Sequence, residues 1–469
     1  MQDTNSSSSN GQAPLQQEIE FVILGGGLAG MTSASQLGER AVVLERDARP
    51  GGLVRAENFD GYWFDWVIHL LYFADPKTKE RIRTLMGDDL APCVPQAWVE
   101  CLSGIVRFPF QTHLGGLESE TVVRCLEDFA QVTHEAQKPV PQDFRAMLEQ
   151  SFGTAMCETF FFPYNRKMWK RPLESLAPSG FQWNIVRPPF ADVLRGAIRP
   201  KDETGSYNAE GWYPRPKADA PVRGMEVLAR ALATQVEDLR LNHTVREIDL
   251  DNQTVTVEHG GETTEFRWTN SCCSSLPLPL TVAMCRQAPE ELKQACRNLT
   301  RNRVLSVALS IRGPRPDSGH WRYYTDESIC FNRLIYLHQF DPGCAPPEGW
   351  PLLVEITEPA EDAMASDEEI LERTRRDVAR VGGIPDGCEI IAERVMLIDP
   401  AYVVFTPENQ KVVEEARQWL QSHGVVPLGR YGKWEYSSMA QVMRDGFAWS
   451  EQMAQSVSAH DGAPVGNAA

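Results

Sequence analysis

The 469-residue sequence has no apolar run of the ~18 residues that a membrane-crossing helix needs, which argues against a helical membrane anchor. It also has no basic excess: 46 Lys plus Arg stand against 64 Asp plus Glu, a net charge of -18. A surface of that sign argues against nucleic acid and anionic membrane as partners. Any phosphorylated ligand must therefore be held by a few locally placed arginines. The 11 cysteines form no CxxC pair and no metal-ligand spacing, so no metal site is expected. They read as reduced, mostly buried thiols, and point to a cytoplasmic location. There is no Ser/His/Asp or Cys/His arrangement for side-chain nucleophilic catalysis. Met1 to Gln17 is rich in Ser, Asn and Gln without an apolar core; it reads as a disordered tail and not a secretory signal, and Ser456 to Ala469 reads as a second tail.

A chain this long exceeds what one hydrophobic core usually supports, so two or three structural units are expected. Glu20 to Leu24 is a short apolar run ending in glycines, the pattern of a buried parallel strand. Leu28 to Leu37 fits a helix and Ala41 to Leu44 a second strand. Residues 76 to 175 read as mostly helical, with amphipathic stretches at Glu118 to Gln131 and Asp143 to Phe152. After a Pro, Gly and Lys-rich passage, Val227 to Val236 reads as a helix. Thr244 to Glu258 reads as two strands about an Asp251-Asn252-Gln253 turn. Arg303 to Ile311 and Leu352 to Ile356 are strand-like.

Gly25-Gly26-Gly27-Leu28-Ala29-Gly30 matches GxGxxG between that first strand and helix, and Glu45 follows Gly25 by twenty residues. Each part has a physical task. Gly25 permits the tight turn, Gly27 lets backbone approach a pyrophosphate, and Gly30 lets helix and strand pack closely. The helix N-terminus offers free N–H groups to the phosphates, and Glu45 accepts from ribose hydroxyls. The pair Gly51-Gly52 comes soon after the acidic residue. That order resembles the FAD-binding subclass of the amine oxidases and phytoene desaturases. It implies non-covalently bound FAD in a Rossmann-like α/β domain of the GR2 type. Arg46, Leu53 and Val245 are read as further cofactor contacts beside Leu28 and Ala29. Gly429, Arg430, Tyr436, Ser437 and Met439 are the late segment that returns to the flavin.

A narrower resemblance runs from about residue 18 to 450. It is carried by Phe108-Pro109-Phe110-Gln111, Pro163-Tyr164-Asn165-Arg166-Lys167-Met168-Trp169, Trp183 with Arg187, Trp321, Tyr323, Arg333, Ala401-Tyr402, and Gly429-Arg430-Tyr431-Gly432-x-Trp434-x-Tyr436. In this order the motifs resemble the UDP-galactopyranose mutases, the eukaryotic type more than the bacterial. The resemblance implies a nucleoside diphosphate sugar as substrate and a pyranose–furanose isomerisation without net redox change. In it, N5 of reduced flavin attacks the anomeric carbon. NADPH is one candidate for the reductant, and a homo-oligomer is one candidate state. Position by position, Arg187 and Arg333 match arginines that clamp the diphosphate, a task suited to the guanidinium fork. Tyr323, Tyr402 and Tyr436 match tyrosines that reach it. Phe108, Gln111 and Phe160 match the base pocket, Asn165 and Trp169 the sugar and uridine region, and His69 a histidine beside N5.

Three features depart from the family pattern. Val67-Ile68 stand where the family has two glycines before His69, a change expected to stiffen that loop and crowd N5. Phe340 stands where a diphosphate-contacting tyrosine is expected, and Arg223-Gly224-Met225 has fewer glycines than its counterpart. A second reading therefore stays open: an FAD oxidoreductase, amine oxidase- or protoporphyrinogen oxidase-like, acting on another small molecule. A third is a flavin-binding protein without catalysis. The expected layout is an FAD domain from 18–75, 222–285 and 400–455, a mainly helical insertion at 76–221, and a sheet-containing substrate domain at 286–399.

Overall fold

The computed structural model describes residues 15–67, 70–134, 139–180, 187–198 and 211–461. The apolar run before the glycines forms the strand Leu15–Leu24, which begins inside the stretch read as a tail. Its Leu15–Ile19 half pairs with Thr264–Trp268, and those backbone bonds order residues that composition alone marks as polar coil. The following half, Phe21 to Leu24, is fully buried and pairs in parallel with Ala41–Leu44. These strands lie in a seven-stranded sheet, ordered 244–249, 254–259, 262–274, 15–24, 41–44 and 238–240, with 425–427 pairing the 262–274 strand. The chain thus returns to this sheet twice after leaving it.

A second seven-stranded sheet runs 389–403, 301–312, 349–359, 333–336, 321–324, 97–101 and 104–107. It is antiparallel apart from one parallel pairing, Trp321–Tyr324 on Ala97–Cys101. Residues 302 to 311 are all buried, since this strand is covered on both faces and carries no polar alternation. The stretch read as mainly helical also supplies strands, Leu90–Cys93, Ala97–Cys101, Gly104–Arg107 and Gly211–Pro214. Each is only four or five residues long, too short for period-two alternation to register. Glu389–Val403 is one continuous strand across residue 400, where a boundary between units was expected.

Helices Ser119–His134 and Phe144–Phe152 fall where amphipathic spacing places them, the second capped by the Asp143 carboxylate on the Ala146 N–H at 2.8 Å. A π turn at Cys157–Phe161 leads into the helix Phe162–Trp169 and brings Phe160 and Phe161 together against Phe110 and Phe152. Such one-turn insertions recur at functional sites. Met439–Asp461 is a single helix that continues into the stretch read as a second tail. It packs on Leu28–Ala34, where Gly446 leaves room for Thr32: a Cβ at 446 would lie 2.0 Å from Thr32 Oγ1.

Candidate functional site

The α/β and antiparallel sheets meet along a cavity of about 1210 Å³, lined from the glycine turn at one end to Arg333 at the other. That exceeds the ~300–1,000 Å³ of an ordinary small-molecule pocket and suits two ligands side by side.

At the first end the chain turns at Gly25, whose φ of +98° is costly for any residue with a Cβ. Gly30 allows the close approach expected of it, since a Cβ there would lie 1.9 Å from the Gly25 carbonyl oxygen. Gly27 differs: its Cβ would meet nothing within 4 Å and would project into the cavity. The second glycine pair is knitted to the first, with the Gly51 N–H donating to the Gly26 carbonyl at 2.8 Å and a bridge between Gly27 and Gly51. Glu45 is buried and its two oxygens accept from the Gly26 and Asp47 N–H groups at 2.7 and 2.9 Å. Leu28, Ala29, Arg46, Gly52, Leu53, Val245, Arg430, Tyr436, Ser437 and Met439 all line the cavity. Gly30 and Gly429 do not; Gly429, at φ +74°, serves packing against Ala29. Open space beside Gly27, N–H groups at a helix start and a fixed carboxylate are what a dinucleotide requires, so these residues fit a flavin dinucleotide.

At the other end Arg333 and Glu355 are partners in register on neighbouring strands. Arg333 Nε and Nη2 both donate to Glu355 Oε2, at 2.9 and 2.7 Å, and the Tyr402 hydroxyl donates to Glu355 Oε1 at 3.2 Å. Burial works against the Arg333 charge, but Glu355 and then the Tyr323, Tyr402 and Tyr164 oxygens hold its pKa well above the ordinary value. Burial also raises the Tyr164, Tyr323 and Tyr402 phenols, which therefore keep their protons and remain donors. Tyr402 stacks on Tyr436 at 6.0 Å, and Arg430 lies 4.3 Å over the Tyr436 ring. Phe108, Phe160, Tyr164 and Tyr323 form a continuous aromatic wall through contacts of 5.2–5.4 Å. Gln111 is buried and lines the same region.

The other residues singled out in the sequence are placed as follows. Arg187 does not line the cavity: it is exposed, and its Nη2 donates to the Val132 carbonyl and the Thr133 hydroxyl at the end of helix 119–134. An arginine already satisfied by a helix C-terminus has no need of the cavity. Asn165 lines it, but its amide is used within its own helix, donating to the Phe161 carbonyl at 2.7 Å and accepting from Trp169 Nε1 at 3.1 Å. It orients Trp169. Phe340 is fully buried and lies parallel to Trp321 with centroids 6.1 Å apart. His69, with Ile68 and Trp183, lies outside the described residues.

Glu355 escaped the sequence reading because a lone Glu in an apolar strand belongs to no motif. So did Asp65, at the end of strand Tyr62–Asp65, which accepts from the Tyr213 hydroxyl at 2.6 Å and the Met225 N–H at 2.8 Å. Burial outweighs these two hydrogen bonds and, with the charges of Asp341 and Glu226 adding to it, pushes its pKa up to about 7. Among the described residues no group of His, Cys, Asp and Glu could hold a metal, and no helix is long and apolar enough to cross a membrane.

Residues 28–403 match the family described as flavin containing amine oxidoreductase. Over 93% of the chain the fold superimposes on 96% of a reduced UDP-galactopyranose mutase with a TM-score of 0.83 at 18% identity. A putative protoporphyrinogen oxidase from Exiguobacterium sp. 255-15 is similar at TM-score 0.67, 16% identity, 96% of this chain and 100% of that one. Putrescine-bound putrescine oxidase is similar at 0.60 and 14%, over 94% and 100%. An uncharacterized protein in the nifH2 3' region of Methanothermococcus thermolithotrophicus is 43% identical over 56 residues, 11% of this chain and 54% of that protein, so the chain spans about half the length of that relative.

Proposed function

Because the chain belongs to the flavin-containing amine oxidoreductase family, we propose that it binds FAD and acts on a nucleoside diphosphate sugar as a pyranose–furanose mutase. The observation that carries this reading is Arg333, a guanidinium inside the cavity with protonated tyrosine hydroxyls close about it. A guanidinium there, with phenol donors about it, suits the oxygens of a diphosphate.

Reduced flavin would supply, at N5, the nucleophile for the anomeric carbon. The chain's residues do the rest. Arg333, with Tyr323 and Tyr436, holds the diphosphate as charge develops on it, while Tyr402 spends its proton on Glu355. Phe108, Phe160 and Tyr164 offer faces to the nucleotide base and Gln111 its amide. Trp66 and Val67 add apolar surface to the lining. Anchoring the nucleotide at a distance from the reacting carbon places that carbon, which is where such sites gain rate. Arg187 joins the diphosphate only by leaving its contacts on helix 119–134. The eukaryotic-type motifs and the match in fold support the reading.

Calorimetry of nucleoside diphosphates and their sugars against the holoprotein tests it: saturable binding is expected, and none with any nucleotide would defeat it. Val67, which lines the cavity in place of a glycine, favours the alternative of an FAD oxidoreductase.

A further inference from the structure

Arg333 spends its best donors on protein. The guanidinium edge formed by Nε and Nη2, the edge that ordinarily grips two phosphate oxygens, closes instead on a single oxygen of Glu355. Among the described residues it has no other hydrogen-bond acceptor, so Nη1 and the second Nη2 hydrogen are left for a ligand on a residue that lines the cavity. Glu355 is buried, fixed in register opposite Arg333 and held at its other oxygen by Tyr402. It brings a negative charge to the place where a diphosphate would bring its own.

We propose that Glu355 is a counter-charge that sets diphosphate affinity, holding it below what Arg333 alone would give. This rests on the reading of the cavity as a nucleoside diphosphate sugar site. The pair is nearly neutral in sum, so a phosphate meeting Nη1 gains directed hydrogen bonds while feeling repulsion from the carboxylate behind. Like charges a few ångströms apart in a partly dry cavity oppose each other strongly. The chemistry has a use for that. In the proposed isomerisation the diphosphate is a leaving group that must come back to the same sugar and then depart with it. A clamp of unopposed arginine would hold it too well. Tyr402 ties Glu355 in place, so the carboxylate cannot swing away as ligand enters. Glu355 is a positioning residue in this account and need not touch the sugar.

The test is calorimetry on flavin-loaded protein with the common ribonucleoside diphosphates and with inorganic pyrophosphate. Wild type is compared with Glu355→Gln, with Glu355→Leu (which keeps the bulk without an acceptor), with Tyr402→Phe and with Arg333→Ala. Removing the carboxylate charge should tighten binding about 10-fold or more in both Glu355 variants. Tyr402→Phe, which leaves the charge, should not tighten it. In turnover, KM and kcat should fall together in Glu355→Gln. A loss of structure alone predicts weaker binding, the opposite sign. Equal or weaker affinity in the Glu355 variants that retain flavin overturns the inference. If wild type binds and Arg333→Ala does not, that failure leaves the parent reading standing. If wild type binds neither nucleotide nor pyrophosphate, both fall.

Discussion

Arg333 and Glu355 face each other directly across two paired strands, with two guanidinium nitrogens on one carboxylate oxygen. Arg333→Ala should therefore do two things at once. Nucleoside diphosphate binding should weaken by about 1.5–3 kcal/mol, the range for hydrogen bonds to charged groups. Stability should fall by about 3–5 kcal/mol, because Glu355 is left buried without its cation. Arg187→Ala, at an exposed side chain away from the cavity, should cost less on both counts. Titration calorimetry and denaturant unfolding on the two variants check this; equal losses in both would show that Arg187 belongs to the clamp at rest.

Gly27→Val should yield folded, colourless protein. A Cβ there meets no protein atom within 4 Å, so the loss should fall on flavin binding and not on the fold. Flavin absorbance per chain, with circular dichroism as the control, is the measurement. A yellow Gly27→Val protein would move the pyrophosphate elsewhere.

Asp65 gives stability a pH dependence of definite sign. Its folded pKa of about 7 lies above the ~3.9 of an unfolded aspartate, so its contribution is fullest below the unfolded value and is lost as pH rises through about 7. Asp65→Asn keeps an acceptor for the Met225 N–H and a donor for Tyr213, and carries no charge at any pH. The variant should gain on wild type by about 1 kcal/mol or more at pH 8 relative to pH 5, read from thermal midpoints. An identical difference at the two values would show that Asp65 does not titrate there.

What could be read in advance was what repeats a local rule. Glycines at Gly25, Gly27 and Gly30 between an apolar strand and a helix, with Glu45 beyond, were legible because each answers to a backbone requirement within thirty residues. The aromatic wall at Phe108, Phe160 and Tyr164 was legible through its motifs. The Arg333–Glu355 pair was only half legible: Arg333 sat in a motif, while Glu355 became its partner through strand register, a relation over 22 residues that no local pattern encodes. Arg187 shows the reverse case, a motif residue whose position depends on which carbonyl it finds. The helix after Asp143 was readable from its amphipathic spacing, and the π turn at Cys157–Phe161 was not, since one extra residue in a helix leaves no compositional mark.

The central claim is that the cavity isomerises a nucleotide sugar and does not oxidise its substrate. The direct measurement is to incubate anaerobic, chemically reduced protein with a panel of nucleotide sugars, following product mass by chromatography and flavin absorbance together. The account predicts a product of equal mass, formed over many turnovers, with the flavin still reduced at the end. No isomer from any sugar, with some substrate bleaching the oxidised protein to give a product two hydrogens lighter, would contradict it.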